Sequence, residues 1–326
     1  MSVQFGECNF DGKTVNHRDL EEVRPALAPY APDGEGYICK DNVGIVYRGF
    51  QTTTESRHET QPHVSTCGLI LTWDGRLDNR EELISQVASE VTRESTDVEI
   101  VAAAYQRWRT DAFARLIGDW AASIWDPAGR SLVLAKDFLG ARQLYYAFQR
   151  QRVTWSTVLE LLLARAGCQI KLQEEYVAGW LGSFPAPQLT PYAGIQSVPP
   201  SCFVRFTPGT HVTTKYWDFN PALRLRYRHD SDYEEHFRHV FSQSVRRRLR
   251  AFGPVLAELS GGMDSSSIVC TADCCIGRGD IRDVEVDTVS YYDDSEPNWN
   301  ERPYFTKVEQ NRGRIGCHIK IGRAHV

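Results

Sequence analysis

The eight residues from Ser260 to Ser267, Ser-Gly-Gly-Met-Asp-Ser-Ser-Ser, constrain the fold of this chain more than any other segment. They follow the apolar run 254–259, which predicts a short strand, and precede 268–272, which predicts the start of a helix. Small residues between a strand and a helix leave backbone N–H groups available at the positive end of the helix dipole. Two glycines let an anion approach the backbone closely. The segment therefore predicts a phosphate-binding loop.

The composition of this loop separates it from the Walker A type, whose G-x-x-x-x-G-K-[ST] pattern and lysine it lacks. It resembles instead the S-G-G-x-D-S pyrophosphate loop of the ATP pyrophosphatases. That resemblance implies an ATP-binding set in which serines and glycines hold pyrophosphate and two strand ends frame the adenine: Leu259, Ser260, Gly261, Gly262, Asp264, Ser265 and Tyr291. Asp264 would in addition position Mg²⁺, because hard cations prefer oxygen ligands.

Composition limits the classes of function. A chain of 326 residues is long enough for two domains, and its net charge of −5 gives no electrostatic case for binding nucleic acid or an acidic membrane. The sequence shows neither an apolar stretch near the ~20 residues of a membrane span nor a signal peptide. The nine cysteines are scattered, which is typical of reduced thiols. We expect a cytoplasmic protein.

Periodicity predicts the elements that flank the candidate sites. Amphipathic helices are expected after Asn79 and from Asp97 to Trp108, and a strand is expected at 68–73. A further helix is predicted to open with a capping box formed by Ser231 and Glu234.

Short segments ahead of the loop occur in a defined order: Pro32-Asp33-Gly34, Gln61-Pro62, 74–79, 95–99, 118–121, 136–140 with Leu144-Tyr145-Tyr146, and Lys215-Tyr216-Trp217. With the loop, they resemble the glutamine-hydrolysing asparagine synthetase family. The resemblance implies an amidohydrolase domain that releases ammonia from glutamine. It also implies a second domain that activates aspartate as β-aspartyl-AMP, which ammonia then attacks.

The same resemblance implies the fold class, α/β and α+β. An N-terminal-nucleophile αββα sandwich would be followed by a partial parallel-sheet ATP pyrophosphatase domain of the adenine nucleotide α-hydrolase type. We place the amidotransferase-like domain at 1–205, a linker at 206–230 and the partial synthase domain at 231–320. The family's second motif, S-G-E-G-x-D-E, does not follow Tyr291. Residues 321–326 match a translation frame of a common sequencing adapter, and we expect them to be an assembly artefact.

The first domain departs from the family at its nucleophile and its oxyanion hole. The family has a cysteine after the initiator methionine, which supplies both a thiol nucleophile and an α-amine base. Ser2 stands in that place here. Asp74 and Gly75 replace the Asn-Gly pair of the oxyanion hole, and a carboxylate there would repel a developing oxyanion.

The positions that would recognise glutamine are also incomplete. Asp97, which by resemblance would bind the glutamine amine, is present. The arginine that would hold the glutamine carboxylate has no clear counterpart, since Arg48 lies near in sequence and Phe50 occupies the aligned position. We therefore expect a degenerate glutaminase.

Three functions remain open at this point. The first is an amide ligase that requires ATP and Mg²⁺ and uses aspartate together with either glutamine or ammonia. A homodimer is compatible with this function. The second is a cyclase of the lasso-peptide type, which resembles this family, lacks the cysteine and activates a peptide carboxylate for attack by the peptide's own amine. The third is a non-catalytic binding module. Pyrophosphate release with a carboxylate acceptor would separate the first two from the third.

Overall fold

The computed structural model describes residues 2–87, 90–165, 167, 171–281, 283–295 and 300–321. The chain divides into two compact units: unit 1 comprises Met1–Gln51 and Glu55–Asn220, and unit 2 comprises Thr52–Thr54 and Pro221–Val326. Of the tail expected to be an artefact, residues 322–326 lie outside the described residues.

Unit 1 is built from two sheets and the helices that cover them. Its strands are β1 Val3–Asn9, β2 Gly34–Lys40, β3 Val43–Gly49, β4 His63–Val64, β5 Ile70–Leu77, β6 Gly118–Asp126, β7 Ser131–Lys136, β8 Tyr145–Gln149, β9 Arg152–Ser156, β10 Gln196–Ser197, β11 Cys202–Thr207 and β12 Thr210–Lys215. Its α-helices are α1 His17–Leu27, α2 Arg80–Val87, α3 Asp97–Trp108, α4 Leu159–Arg165 and α5 Glu174–Leu181.

The two sheets stack between helical layers. Their strand orders are β10-β8-β9-β1-β3-β2 and β12-β11-β7-β6-β5-β4, with antiparallel pairing throughout. One apolar cluster lies between the sheets, a second joins α1 to the first sheet, and a third joins α2 and α3 to the second sheet. The layer order is helix, sheet, sheet, helix, and the αββα expectation is confirmed.

Alternation along β5 determines which side chains meet the first sheet. Leu71, Trp73 and Leu77 belong to the cluster under α2 and α3, whereas Ile70 belongs to the cluster between the sheets. Since successive strand residues point to opposite faces, Asp74 shares the face of Ile70. The side chain of Asp74 is thereby directed toward the sheet that contains β1 and β3.

Unit 2 is a small parallel α/β unit. Its elements are α6 Asp230–Arg248, β13 Val255–Glu258, α7 Met263–Gly277, β14 Val286–Tyr292, α8 Arg302–Arg312 and β15 Cys317–Lys320. The strands pair in parallel in the order β13-β14-β15. The expectation of a parallel sheet with the loop between β13 and α7 is confirmed. None of the described helices combines the length and apolar character that a membrane crossing requires.

The predicted domain boundary at 205 and linker at 206–230 are wrong. Residue 205 lies inside β11, which pairs with β12 through a turn in which Gly209 adopts φ +79°. This hairpin extends the second sheet, so unit 1 continues to Asn220. The strand β12 lies at the edge of the sheet and is exposed along its whole length. Its residues are therefore mostly polar, and their pattern did not predict a strand.

The predicted capping box of α6 is also displaced. The helix begins at Asp230, and the Asp232 carboxylate accepts a hydrogen bond from the backbone N–H of His229 at 3.2 Å. The segment offers several capping side chains in succession, and His229 rather than Ser231 takes the N-cap position. The predictions for α2 and α3 are confirmed, with α3 matching its predicted limits.

Candidate active sites

Ser2 lies at the start of the central strand β1, where its hydroxyl is fixed by two contacts. The β1–β3 register pairs Val3 with Arg48 and so brings Ser2 beside Phe50. The Phe50 N–H donates to Ser2 Oγ at 3.0 Å, and the Tyr47 hydroxyl forms a second hydrogen bond with Ser2 Oγ at 3.0 Å. Only 9% of Ser2 is exposed.

Tyr47 connects Ser2 to an acidic residue that sequence analysis missed. The Tyr47 hydroxyl lies 3.5 Å from Glu59 Oε1, which also accepts from Gln61 Nε2 at 2.5 Å. Gln61 is held in turn by the backbone of Trp73, whose N–H and carbonyl lie 2.6 Å and 2.9 Å from the Gln61 amide. Burial raises the pKa of Tyr47 well above its usual value and the pKa of Glu59 to about 7.

A cavity of about 320 Å³ adjoins these groups within unit 1. Its described lining includes Tyr47, Phe50 and the two carboxylates Glu35 and Glu59, and it contains no lysine, arginine or histidine. Arg48 does not line it, because its guanidinium is directed to Glu35 Oε2 at 3.0 Å. This cavity, which is lined by the two residues that contact Ser2 rather than by Ser2 itself, therefore offers no cation to a ligand carboxylate from its described lining.

Asp74 and Gly75 lie on β5 beside the same region. Burial raises the pKa of Asp74 to about 7, and the positive charge of Arg142 opposes that rise. The charge of Asp74 contributes to the raised pKa of Tyr47, which places the two groups within electrostatic reach. A side chain at Gly75 would meet Trp120 Cβ at 2.5 Å, so β6 can approach only a glycine here.

Asp97, the first residue of α3, is already engaged by protein groups. Its carboxylate forms an ion pair with Arg80 and accepts the Leu77 N–H at 2.8 Å. Arg80 is fixed further by the carbonyl oxygen of Ser95 at 2.6 Å. Asp97 is buried, and its negative charge helps to raise the pKa of Glu59. The charge of Asp74 acts on Tyr47, which contacts Ser2, and the charge of Asp97 acts on Glu59, so the structure brings these predicted residues into one region.

The serine- and glycine-rich loop of unit 2 has a backbone conformation that favours glycine and leaves no room for a side chain at Gly261. Gly261 has φ +82°, and a side chain there would lie 2.4 Å from the backbone nitrogen of Phe305. Ser260 Oγ and Ser265 Oγ lie 2.9 Å apart, and the Gly262 N–H donates to Ser260 Oγ at 3.2 Å. Gly262 is the N-cap of α7 and has no side chain that could accept from the first helical turn.

The remaining predicted ATP-binding residues surround this loop. The Leu259 N–H donates to the Val289 carbonyl at 2.8 Å, which continues the parallel pairing to the carboxyl end of the sheet. Tyr291 follows on the neighbouring strand at the same end. Asp264 is exposed in the first turn of α7. One carboxylate beside a phosphate cradle fits Mg²⁺, which is usually held by one or two carboxylates together with the phosphates.

In the part of the chain that the structure describes, no group of three or more His, Cys, Asp or Glu side chains is arranged to hold a metal ion. The eight described cysteines are all free.

Comparison with known proteins adds to this geometry. A family model of the glutamine amidotransferase domain matches residues 3–217, more than half of the chain, and one of asparagine synthase matches residues 236–324. The chain belongs to the asparagine synthetase family. Both matches begin and end close to the limits of unit 1 and of the elements of unit 2.

Several curated relatives are similar to large parts of the chain. Amidase chry2 of Gibberella zeae is 28% identical over 83% of this chain and 41% of its own length. Amidase chyE of Penicillium rubens is 29% identical over 77% and 38%. Asparagine synthetase [glutamine-hydrolyzing] 2 of Bacillus subtilis is 24% identical over 76% and 35%. The chain thus spans about two fifths of the length of the curated relatives it matches.

Solved structures also align with the chain. Glutamine phosphoribosylpyrophosphate amidotransferase of B. subtilis aligns with 98% of this chain and 84% of its own, with a TM-score of 0.40 and 10% identity.

Proposed function

We propose that this protein is an ATP-dependent amide ligase of the asparagine synthase kind, which activates a carboxylate as an acyl-adenylate for attack by ammonia or an amine. The proposal depends on the loop between β13 and α7. In this loop Gly261 adopts φ +82°, and the N-cap residue of α7 has no side chain that could accept a hydrogen bond from the first helical turn. Backbone N–H groups at such a helix start suit phosphate oxygens.

The proposal assigns roles to the residues of the loop. Ser260, Gly261, Gly262 and Ser265 would hold pyrophosphate oxygens, and Asp264 would position Mg²⁺. The backbone at Leu259 and the strand end at Tyr291 would frame the adenine. Glutamine or ammonia and aspartate are the proposed co-substrates, and the cytoplasm is the proposed location.

Isothermal titration of the chain with MgATP tests this proposal. We expect saturable binding that Asp264→Ala weakens at least tenfold. Asp280→Ala is the matched control, since Asp280 is likewise exposed and lies beyond the other end of α7. Absence of binding, or equal binding by the chain and Asp264→Ala, would refute the proposal.

The acceptor carboxylate belongs either to free aspartate or to a peptide. Pyrophosphate release stimulated by free aspartate would favour the first, and a neighbouring gene for a short precursor peptide would favour the second. Absence of pyrophosphate exchange with every carboxylate tried would favour a non-catalytic binding module.

For unit 1 we propose weak glutamine hydrolysis. Three features support this: Ser2 replaces a thiol, Asp97 is paired with Arg80, and Arg48 is paired with Glu35. Each feature weakens a different part of glutamine recognition or attack.

A second candidate for unit 1 is hydrolysis of another amide. Two relatives carry the name amidase, although their names do not describe this chain. The specific observation in its favour is the Ser2 hydroxyl, held by two hydrogen bonds and joined through Tyr47 to the lining of a cavity. Covalent labelling of Ser2 by an acyl donor tests this candidate.

A further inference from the structure

The first turn of α8 is packed against the serine- and glycine-rich loop of unit 2. A side chain at Gly261 would lie 2.4 Å from the backbone nitrogen of Phe305 and 2.5 Å from Tyr304 Cβ. We propose that Tyr304 forms a wall of the nucleotide site and stacks on the adenine of MgATP. This inference rests on the ATP site of the proposed function and adds a residue from α8 to it.

The parallel topology of unit 2 brings α8 to the loop. The strands β13 and β14 pair in parallel, so their carboxyl ends lie at one edge of the sheet. The chain passes from β13 into α7 at that edge, and from β14 into α8 at the same edge. The N-termini of both helices therefore lie where open α/β sheets bind their ligands.

Contacts at both ends hold α8 in this position. The side chain of Phe305 is fully buried in a cluster with Leu259, the last residue before the loop, and Val269 of α7. In the last turn of α8, Arg312 Nε lies 2.6 Å from Asp273 Oδ2 of α7. The backbone on either side of Phe305 is thereby fixed next to the loop.

Tyr304 precedes Phe305 and is directed away from the core. Successive residues of an α-helix point about 100° apart, so the burial of Phe305 turns Tyr304 toward the solvent. Tyr304 is 64% exposed, although its Cβ lies next to Gly261. An aromatic ring is thus left uncovered beside the loop, where it can contact a flat base that enters the site.

The side chains at this edge suit a base that is joined to phosphates. Aromatic rings stack on every kind of base, since each base has a π-face. Tyr291, near the end of β14, is also exposed. Arg302, in the same turn as Tyr304, lies over Tyr292 at 5.5 Å from the ring centroid. The edge therefore combines aromatic surface with a positive charge.

Isothermal titration with MgATP and with magnesium pyrophosphate separates contacts to the base from contacts to the phosphates. Tyr304→Ala should weaken the binding of MgATP about tenfold, within the usual contribution of one stacked base, because the ring is removed. Tyr304→Phe retains the ring and should recover most of the affinity. Pyrophosphate has no base, so its binding should not distinguish Tyr304→Ala from the original chain.

Phe252→Ala is the matched control. Phe252 is 55% exposed and precedes β13, so it lies toward the amino edge of the sheet, opposite the loop. Its replacement should change MgATP affinity less than about twofold. If Tyr304→Ala does not fold, as judged by its circular dichroism and melting curve, Tyr304→Leu takes its place. Leucine fills part of the same space without an aromatic face, and the same loss of affinity is expected.

The possible failures differ in meaning. Absence of MgATP binding by the original chain would overturn the proposed ATP site and this inference together. Equal MgATP binding by the original chain and Tyr304→Ala would overturn the inference alone. Equal losses of MgATP and pyrophosphate binding in Tyr304→Ala would also overturn it, because Tyr304 would then support the loop rather than contact the base. A loss in Tyr304→Phe as large as in Tyr304→Ala would assign the effect to the hydroxyl and rule out stacking.

Discussion

The candidate sites of the two units are constructed in opposite ways. In unit 2 the candidate site is a contiguous loop whose backbone would supply most of the groups that contact a ligand, and Asp264 is exposed. In unit 1 the site is assembled from side chains on separate strands and a helix, and Ser2, Asp74 and Asp97 are all buried. A backbone site persists as long as small residues keep the loop conformation. A dispersed site changes its chemistry whenever one charge is replaced.

This difference bears on how closely the residues of each site follow the family's pattern. The loop keeps every small residue that its geometry requires, including Gly261 against the backbone of α8. In unit 1 the scaffold is intact, with Gly75 still packed on β6, whereas Ser2 and Asp74 have altered the reacting groups. The fold of unit 1 is thus that of the family, while its weak glutamine chemistry stays a prediction.

The largest expected difference between the units concerns the nitrogen source. If unit 2 forms an amide, free ammonium should support the reaction at least about 10²–10³-fold better than glutamine, the loss expected from one missing oxyanion donor. Amide formation with ammonium and glutamate release from glutamine should be measured on the same preparation.

Ser2→Ala is the control for this experiment. It should remove residual glutamate release and leave the ammonium-dependent reaction unchanged. Glutamate release comparable to that of an intact amidotransferase would show that the altered site still functions as a glutaminase.

The next effect concerns the pH dependence of stability. Burial raises the pKa of Asp74 from 3.8 to about 7, so the folded state binds this proton more tightly than the unfolded state. The contribution of Asp74 to the free energy of unfolding should therefore be most favourable below about pH 4 and should fall as the pH rises to 7. At 1.36 kcal/mol for each pKa unit, the loss amounts to at most about 4 kcal/mol.

Asp74→Asn should flatten this dependence, as seen by urea unfolding at pH 5 and pH 8. Seven of the eight tryptophans lie between residues 73 and 217, so tryptophan fluorescence reports mainly on unit 1. Glu7→Gln is the control, since Glu7 is buried but its partner is Arg152. If stability depends on pH in the same way in Asp74→Asn as in the original chain, the ionisation of Asp74 does not destabilise the folded state.

Local signals were sufficient for the elements that surround the sites. The helical period and its acidic first turn predicted α3, and the strand–loop–helix pattern predicted the order β13, α7 and β14. These features depend on neighbouring residues, so the sequence contains the full information. The apolar period of α6 also predicted a helix, but Tyr233 and Phe237 are exposed, because periodicity does not show what lies against a helical face.

The contacts of Ser2 could not be predicted in the same way. Tyr47 and Glu59 lie 45 and 57 positions away in sequence, and only the pairing of β1 with β3 brings the first of them to Ser2. The sequence signal nearest to Glu59 was Gln61-Pro62, which indicated a family segment but not the hydrogen bond from Gln61. The raised pKa of Asp74 likewise depends on burial between two sheets, which no local pattern shows.

A smaller effect tests the independence of the two sites. Gly261→Ala places a side chain at φ +82° and 2.4 Å from the Phe305 nitrogen, so the loop must move. Backbone strain of this kind costs about 1–3 kcal/mol, which corresponds to a loss of MgATP affinity of up to about 100-fold. Labelling of Ser2 by an acyl donor should be unchanged.

Gly277→Ala is the matched control, because Gly277 is the last residue of α7, at the end away from the loop, and a side chain there meets nothing within 4 Å. Equal losses of affinity in both variants would mean that unit 2 responds to any change in α7. Loss of the labelling of Ser2 in Gly261→Ala would show that the sites are coupled.

The smallest effect concerns partial restoration of glutamine hydrolysis. Ser2→Cys supplies the thiol, which ionises more readily than a hydroxyl, yet it leaves Asp74 in place and Asp97 paired with Arg80. We expect a gain of a few-fold at most.

Ser2→Cys with Asp74→Asn should add about tenfold more above pH 7, where Asp74 is mainly ionised, and less at pH 6, where its protonated form can itself donate a hydrogen bond. Glutamate release from the single and double variants at both pH values measures this. If Ser2→Cys alone restores full turnover, the charge at Asp74 has no part in the loss, and the difference between the two units reduces to one atom of the nucleophile.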